Sequence, residues 1–216
     1  VVRKPESLDS VISNRAFHRL LLDGVPVEYK RDDETIHDRA FLIDFGDIKA
    51  NRFRAINQFT IEGSKQLRRP DIICFINGLP LAVLELKSPS DENVDIWDAF
   101  NQIQTYKDEI TDLFACNEAL IISDGYNARV GSLTANQERY LPWRTIKDED
   151  DRPLLDWQLE TMVRGFFDRE LFLDYIRYFV IFETDADRLI KKIAGYHQFH
   201  AVREAVKATV IASQER

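Results

Sequence analysis

The chain has 216 residues, of which 44% are hydrophobic and 31% are charged, so it can bury one sizeable core. This composition excludes the disordered, collagen-like and low-complexity classes. Lys and Arg total 29 against 37 Asp and Glu, and the net charge of −8 excludes the basic coat typical of many nucleic-acid-binding proteins. Any binding to nucleic acid therefore requires a local basic face.

The cysteines and the apolar runs indicate the compartment. Cys74 and Cys116 lie in apolar surroundings without a CxxC spacing, which predicts buried free thiols in a reducing environment. No apolar run approaches the roughly 18 residues that a bilayer-spanning helix needs. The start, from Val1 to Pro5, is neither a signal peptide nor an initiating Met. We expect a cytoplasmic protein with no membrane partner, whose chain begins inside a longer gene product.

Two segments differ in their sequence patterns. Up to Ile146, short β-rich runs alternate with turn residues, whereas beyond it Gly and Pro become rare and apolar residues recur at helical spacing. We predict a first domain over residues 1–146 and a helical connector over 147–216. The acidic run 148–151 between them is interpreted as a solvated loop.

The predicted elements of the first segment alternate between helices and strands. A helix is expected from Asn14 to Leu22, because Asp23-Gly24 is a typical helix end. Two apolar runs separated by Asn77-Gly78-Leu79 predict a hairpin between residues 69 and 87. An amphipathic helix follows over 94–110. Further strands are predicted over residues 25–29, 40–44, 53–61, 119–123 and 128–133. The order α, several β, α, β, β indicates an α/β fold.

The hairpin brings charged side chains together. If the loop has three residues, Ile76 faces Pro80 and Asp71 lies opposite Glu85. Cross-strand partners have Cβ atoms roughly 4.5 to 5.5 Å apart. Lys87, two residues after Glu85, lies on the same face about 7 Å along the strand. The spacing therefore predicts two carboxylates and one ammonium at one small site.

This combination favours metal-dependent chemistry. Two like charges in apolar strands cost several kcal/mol unless a cation compensates them. Mg²⁺ prefers oxygen ligands and is usually held by one or two carboxylates plus a substrate phosphate. With Lys87 to orient a nucleophile or offset negative charge, the implied reaction is phosphodiester hydrolysis. The alternative is structural: Asp71 caps the strand entrance beside Pro70, and Glu85 and Lys87 form an ordinary ion pair.

The helix after the hairpin adds two polar groups. Gln102 and Tyr106 are four residues apart and share one helical face. An amide and a phenol can reach a phosphate or a metal-bound water. The alternatives are a solvated helix residue for Gln102 and a core aromatic for Tyr106.

These motifs resemble a known nuclease family. Residues 69–71, 84–87 and 102–106 are similar to the PD-(D/E)XK nuclease signature with the QxxxY extension of its RecB-like branch. Longer stretches over most of the chain resemble the restriction (R) subunit of type I restriction-modification enzymes. These stretches are residues 59–63, 68–72, 77–81, 97–106, 122–125, 128–134 and 142–144.

The resemblance implies a fold, an activity and partners. It implies a restriction-endonuclease-like mixed central sheet flanked by helices, in the endonuclease domain of a type I site-specific deoxyribonuclease. Such an enzyme cuts double-stranded DNA after ATP-driven translocation and works with modification (methyltransferase) and specificity subunits. In this chain, Asp71 and Glu85 would bind Mg²⁺ and Lys87 would be the catalytic lysine. Gln102 and Tyr106 would be the accessory pair.

Two further features follow from the same resemblance. The family carries an acidic residue on a helix that precedes the first strands, and Glu6 and Asp9 are the candidates for it in this chain. Residues 193–202 resemble the entry to a helicase-like motor, where Gln198 is the candidate for reading the adenine of ATP. The 216 residues hold no G-x-x-x-x-G-K-[ST] loop, so we expect ATP to matter only in the full-length protein. His197 and His200 are three residues apart, but no further ligand is near them in sequence.

Two alternatives are left open. A stand-alone RecB-like repair nuclease would share the motifs, although its chain would have no reason to end in a motor-entry segment. A catalytically silent DNA-binding or subunit-docking module would suit the charge of −8, although the set of Asp71, Glu85 and Lys87 is intact. A local basic cluster leads into the site and consists of Lys65, Arg68, Arg69 and Lys87.

Overall fold

A computed structural model describes residues 9–63, 66–90, 93–146, 151 and 157–214 of the chain.

The first helix, α1 (Ser10–Asp23), begins and ends at identifiable caps. The Asp9 carboxylate accepts hydrogen bonds from the backbone N–H groups of Val11 and Ile12, at 2.8 and 3.4 Å. The helix ends at Gly24, whose φ of +79° favours glycine. The predicted helix is therefore confirmed within a longer one.

A separate hairpin follows α1. Strands β1 (Val25–Arg31) and β2 (Glu34–Ala40) pair antiparallel, and Asp32 and Asp33 make the turn with positive φ. The strand predicted over residues 40–44 is wrong, because only residue 40 belongs to β2. Asp44 instead accepts hydrogen bonds from the N–H groups of Gly46 and Asp47, which closes a local turn.

The centre of the molecule is a six-stranded mixed sheet. Its strands are β3 (Phe53–Asn57), β6 (Ile72–Ile76), β7 (Leu79–Leu86), β8 (Ala119–Ser123), β9 (Ala128–Gly131) and β10 (Leu141–Pro142). Their spatial order is β10-β9-β8-β7-β6-β3. The strands β7 and β8 are parallel and all other neighbours are antiparallel. Helices α2 (Ile96–Glu109) and α3 (Thr111–Phe114) make the crossover that the parallel pair requires. The predicted α/β class, with a mixed central sheet flanked by helices, is confirmed.

The strand predicted over residues 53–61 is interrupted. β3 ends at Asn57, and Gln58 adopts a left-handed backbone conformation with a φ of +50°. The chain then enters a small separate pair, β4 (Ile61–Glu62) with β5 (Leu67–Arg68). The left-handed residue turns the chain out of the central sheet.

The register of the β6–β7 hairpin differs from the prediction at its tip. The turn has two residues, Asn77 and Gly78, both with positive φ, so Ile76 pairs with Leu79 and not with Pro80. A bulge at Leu81 then shifts the pairing by one residue, and Ile72 pairs with Leu84. Continued by one residue, this register brings Asp71 opposite Glu85, as the sequence predicted.

Alternation along the strands gives the sheet two different faces. The face that we call the α2 face carries Ile73, Val83, Leu120 and Ile122, which pack against α2. The opposite face, which we call the α1 face, packs against α1 and the carboxyl-terminal segment. Its buried members include Leu84, Ile121 and Val130 together with Phe17 and Leu21 of α1.

The carboxyl-terminal segment is not wholly helical. Its elements are α4 (Gln158–Thr161), a π-helical turn (Met162–Phe166), α5 (Arg169–Tyr178), β11 (Val180–Asp185), β12 (Arg188–Ile193) and α6 (Tyr196–Gln214). The helical connector predicted over residues 147–216 is wrong between Val180 and Ile193, where β-branched and aromatic residues favour two strands. Residues 147–150 and 152–156 lie outside the described residues. The first three residues of the predicted acidic loop, 148–150, are therefore among those not described. The domain division at residue 147 stays a prediction.

One buried charge network ties this segment to the rest. The Lys191 ammonium on β12 is fully buried and donates to Asn14 Oδ1, Asn117 O and Glu118 Oε2, at 2.9, 2.6 and 2.8 Å. Glu118 Oε2 also lies 3.1 Å from His18 Nδ1. The network therefore joins β12 to α1 and to the chain entering β8.

The expectations about membrane-spanning helices and about the two thiols can be compared with the structure. Among the described residues, no helix combines the length and the apolar character that crossing a membrane requires. Cys74 and Cys116 are free, as predicted, and they are partly rather than fully buried. Burial raises the pKa of Cys74 to about 12 and that of Cys116 to about 11, so both thiols are poor nucleophiles.

Candidate active site

Two hydrogen bonds hold the Asp71 carboxylate, one from Gln58 and one from β7. Its Oδ1 accepts from Gln58 Nε2 at 2.7 Å, and its Oδ2 accepts from the backbone N–H of Leu86 at 2.8 Å. Leu86 directly follows Glu85 on β7. The second bond therefore fixes the Asp71 carboxylate beside the segment that carries the other acid.

Glu85 is a buried carboxylate that is only partly satisfied. The residue is 4% exposed, and its Oε1 accepts from Lys87 Nζ at 3.2 Å. Within the described part of the chain, its Oε2 is buried and has no hydrogen-bond partner. Burial and the negative charge of Asp71 raise the pKa of Glu85, and the nearby ammonium of Lys87 offsets only part of this effect. A cation placed between Asp71 and Glu85 would relieve both costs.

Lys87 lies just beyond the end of β7. Its backbone N–H donates to Ser123 O at 2.7 Å, which continues the parallel pairing with β8. The side chain is 22% exposed, so the ammonium is open to solvent on one side and contacts Glu85 on the other. The predicted convergence of two acids and one lysine is present in the structure.

Helix α2 places Tyr106 over the same group. The helix begins at a capping box of Asp95 and Asp98 and buries Tyr106 on the α2 face of the sheet. Burial and the negative charges of Glu85 and Asp71 raise the pKa of the Tyr106 phenol. The hydroxyl is therefore protonated and lies close to both carboxylates. Gln102 is half-buried one helical turn earlier.

Gln58 is a site residue that the sequence motifs do not reveal. Its backbone N–H donates to Asp71 O at 3.0 Å, in addition to the side-chain bond to Oδ1. Its left-handed φ of +50° is uncommon for a residue with a side chain and typical of constrained positions. In the sequence, Gln58 lies inside a predicted strand and no spacing rule marks it.

A second polar group borders the site. The Arg68 guanidinium donates to the Glu109 carboxylate, which also accepts from Gln66 Nε2 at 2.7 Å. The hydrogen bond with Glu109 raises the pKa of Arg68, and the interaction with Tyr106 places the guanidinium near the phenol. Of the predicted basic cluster, Arg68 and Lys87 thus border the site. Lys65 lies outside the described residues.

Asp71 and Glu85 could hold one divalent ion. Among the described residues there is no group of three or more His, Cys, Asp and Glu side chains arranged to bind a metal. A pair of carboxylates, one with a buried free oxygen, is nevertheless the donor set that Mg²⁺ uses when water and phosphate supply its other ligands. The residues present therefore fit such an ion.

Other sequence candidates lie elsewhere. Gln198 is exposed on α6, a helix that packs on the α1 face, and its Oε1 accepts from the Gly195 N–H at 2.9 Å. This bond caps the start of α6. Asp9 caps α1, and Glu6 lies outside the described residues. The rings of Tyr196 and His200 lie 4.5 Å apart, so His200 packs among aromatic side chains.

Comparisons with known proteins agree with this architecture. Residues 2–139 match the family model described as type I restriction enzyme R protein N terminus. The chain is 49% identical over 212 residues to the endonuclease subunit of the type I restriction enzyme HindI of Haemophilus influenzae, covering 96% of this chain and 20% of that protein. It is 31% identical over 221 residues to the putative type I restriction enzyme MjaIXP endonuclease subunit of Methanocaldococcus jannaschii, covering 94% and 21%.

The share of its relatives that the chain covers and the match to the family model together show to which family it belongs. It spans about a fifth of the length of the curated relatives that it matches. The family model covers well over half of the chain, and the resemblance inferred from the sequence motifs is confirmed. The chain belongs to the family of type I restriction enzyme R protein N termini.

Proposed function

We propose that this chain is the endonuclease domain of a type I restriction enzyme R subunit and that it hydrolyses phosphodiester bonds of double-stranded DNA with Mg²⁺. The observation that carries the proposal is the meeting of Asp71, Glu85 and Lys87 at one edge of the sheet, with one Glu85 oxygen buried and unbonded among the described residues. The name of the HindI relative, an endonuclease subunit, supports it.

Asp71 and Glu85 would hold the metal ion. When bound, Mg²⁺ would polarise a phosphoryl oxygen and lower the pKa of a bound water. Gln58 and the Leu86 N–H each use one lone pair of Asp71, and each carboxylate oxygen has a further lone pair to offer. Both oxygens of Asp71 therefore still have a lone pair to offer a cation.

Lys87 would act on the water and on the phosphate. An ammonium has three donors, and Glu85 Oε1 uses one of them. The exposed side of the ammonium can hold the attacking water and offset the negative charge that grows on the phosphate. Glu85 in turn fixes the position of the lysine at the site.

Tyr106 and Gln102 would support the reacting strand. Because the raised pKa keeps the Tyr106 hydroxyl protonated, this hydroxyl can donate a hydrogen bond to a phosphate oxygen or to a water. Gln102 presents an amide on the same helix face one turn earlier. We assign both as accessory residues.

The remaining parts of the proposal concern the whole enzyme. The relatives are about five times longer than this chain, and its 216 residues hold no phosphate-binding loop. We place ATP-driven translocation in the rest of that polypeptide, with Gln198 near the adenine of ATP in the full-length protein. Double-stranded DNA and the modification and specificity subunits are the proposed partners, and the cytoplasm is the proposed compartment.

Metal binding tests the proposal directly. Isothermal calorimetry of this chain should detect weak binding of Mn²⁺ or Mg²⁺ that the double change Asp71→Ala, Glu85→Ala removes. The control double change Asp112→Ala, Glu138→Ala removes two exposed carboxylates elsewhere and should leave binding unchanged. Unchanged binding after loss of Asp71 and Glu85 would contradict the assignment.

Gln58 gives a second, graded prediction. We expect Gln58→Leu to weaken Mn²⁺ binding about tenfold, because residues that orient a metal ligand typically contribute 10- to 100-fold in affinity. Gln66→Leu is the matched control, since Gln66 lies in the neighbouring loop and bonds Glu109 instead of Asp71. Equal Mn²⁺ affinity of Gln58→Leu and wild type, measured by calorimetry, would show that Asp71 needs no such support.

Cleavage by the isolated chain separates the alternatives. An acidic domain has little non-specific affinity for DNA, and a nuclease tethered to a translocase gains effective concentration from it. We expect this chain alone to cut plasmid DNA poorly in the presence of Mg²⁺. Efficient cutting by the isolated chain would favour the stand-alone repair nuclease. If the full-length R subunit assembled with its partner subunits also failed to cut DNA, the catalytically silent docking module would be favoured.

A further inference from the structure

Arg129 lies in the same row of the sheet as Glu85. The register pairs Glu85 with Ile122 on β8, and Ile122 with Arg129 on β9. Residues paired across neighbouring strands point to the same face. Ala128 and Val130, on either side of Arg129, belong to the α1 face, so Arg129 lies on the α2 face with Glu85. Two strand spacings of about 4.8 Å put the two positions roughly 10 Å apart.

The Arg129 guanidinium is half-buried without an acidic partner among the described residues. Its Nη1 donates to Tyr140 O at 3.3 Å, and its Nε is buried and unbonded within the described part of the chain. Buried arginines are ordinarily paired with carboxylates. In a chain with 37 acidic residues, the positive charge at this position is left available for another anion.

An aromatic ring fixes the orientation of this charge. The guanidinium carbon lies 5.4 Å from the centre of the Trp97 ring, at the start of α2. Tyr106, near the end of the same helix, lies at the two carboxylates. The nine steps from Trp97 to Tyr106 span roughly 13.5 Å of helix. Helix α2 thus extends along the α2 face from Arg129 to the candidate active site.

We infer that Arg129 binds a backbone phosphate of the DNA strand that is being cut. This inference rests on the proposed nuclease function. Neighbouring phosphates of one DNA strand lie further apart than the axial rise of about 3.4 Å, because the backbone winds around the axis, so a site about 10 Å from Glu85 meets a phosphate one or two nucleotides from the scissile bond. A planar guanidinium presents paired donors that match phosphate oxygens, and its stacking on Trp97 preserves that orientation.

The test compares three variants in the full-length R subunit, assembled with its modification and specificity subunits. Arg129→Met keeps the stem on Trp97 and removes the charge, whereas Arg129→Lys keeps a charge. Arg169→Gln is the matched control, because Arg169 stacks on Phe53 at 5.2 Å and Phe53 packs on the α1 face. Plasmid cleavage, ATP hydrolysis and the Mg²⁺ concentration for half-maximal cleavage are measured for each.

We expect Arg129→Met to slow cleavage about tenfold, the effect of one lost charged hydrogen bond, with ATP hydrolysis and the Mg²⁺ requirement unchanged. Arg129→Lys should recover most of the rate, and Arg169→Gln should match wild type. The inference would be overturned if Arg129→Met cut plasmid DNA at the wild-type rate. It would also be overturned if Arg129→Met cut faster than Arg129→Lys, since a purely structural role favours the apolar side chain. A wild-type enzyme that does not cut with Mg²⁺ would instead contradict the proposed function.

Discussion

Replacing Glu85 with Ala in the full-length R subunit is expected to abolish DNA cleavage while leaving ATP hydrolysis and translocation intact. The loss should be at least about a hundredfold, because the change removes one of the two carboxylates proposed to hold the catalytic ion. ATP hydrolysis and DNA movement are assigned to the rest of the full-length polypeptide and not to Glu85, because these 216 residues hold no phosphate-binding loop. The assembled enzyme is assayed for ATP hydrolysis, for displacement of a third DNA strand and for double-strand cutting.

The same variant should fold. Burial and the charge of Asp71 raise the pKa of Glu85, so its carboxylate is unfavourable in the folded protein and its removal relieves repulsion. Lys87→Ala should also abolish cutting, but it leaves Glu85 without its ion-pair partner and is the less clean change. Loss of all three activities in a folded Glu85→Ala protein would mean that Glu85 couples the domains and is not a metal ligand.

Replacing Lys191 with Met is expected to lower the free energy of unfolding by about 3–5 kcal/mol. The change leaves the Glu118 carboxylate buried without the ammonium that bonds it at 2.8 Å. Lys192→Met is the matched control, since the adjacent Lys192 is exposed and pairs with Glu183 on the surface; it should cost less than about 1 kcal/mol. Urea denaturation measures both, and equal effects would show that the network contributes no more than a surface ion pair.

The buried Glu118 also makes the free energy of unfolding depend on pH in a direction that can be predicted. Burial raises the pKa of Glu118, but the charges of Lys191 and His18 outweigh it and hold this pKa below its ordinary value. The stabilisation from Glu118 is therefore complete above the pKa of the unfolded chain and is lost as the pH falls through the lower, folded value. In Lys191→Met, burial is opposed only by His18. We therefore expect the loss of stability at acid pH to be smaller in this variant than in the wild type, and urea denaturation at several pH values measures it.

The hairpin shows how much of the site the sequence could predict. Its two apolar runs and the turn residues were sufficient to predict adjacent strands, and the alternation put Asp71, Glu85 and Lys87 on one face. The predicted three-residue loop was wrong, because Asn77 and Gly78 form a two-residue turn. The bulge at Leu81 compensates for this error by one residue. No local pattern predicts where such a bulge occurs, so the correct pairing of Asp71 with Glu85 depended on two errors that cancel.

The residues that the sequence did not predict act through distant contacts. Lys191 bonds Asn14 across 177 positions of the chain, and a lysine in a predicted helical connector gives no sign of burial. Gln58 is defined by its backbone conformation and by its bonds to Asp71. Arg129 is defined by the order of strands in the sheet. Local periodicity predicts elements and faces, whereas these contacts arise only from the tertiary arrangement.

The central claim is that Asp71 and Glu85 share one divalent ion. Diffraction from crystals soaked in Mn²⁺, with data collected at the manganese absorption edge, locates such an ion directly. We predict one anomalous peak within about 2.5 Å of an oxygen of each carboxylate, with Glu85 Oε2 among its ligands, and no such peak in Asp71→Ala, Glu85→Ala crystals. An empty position between the two carboxylates in the wild-type protein at saturating Mn²⁺ would contradict the claim.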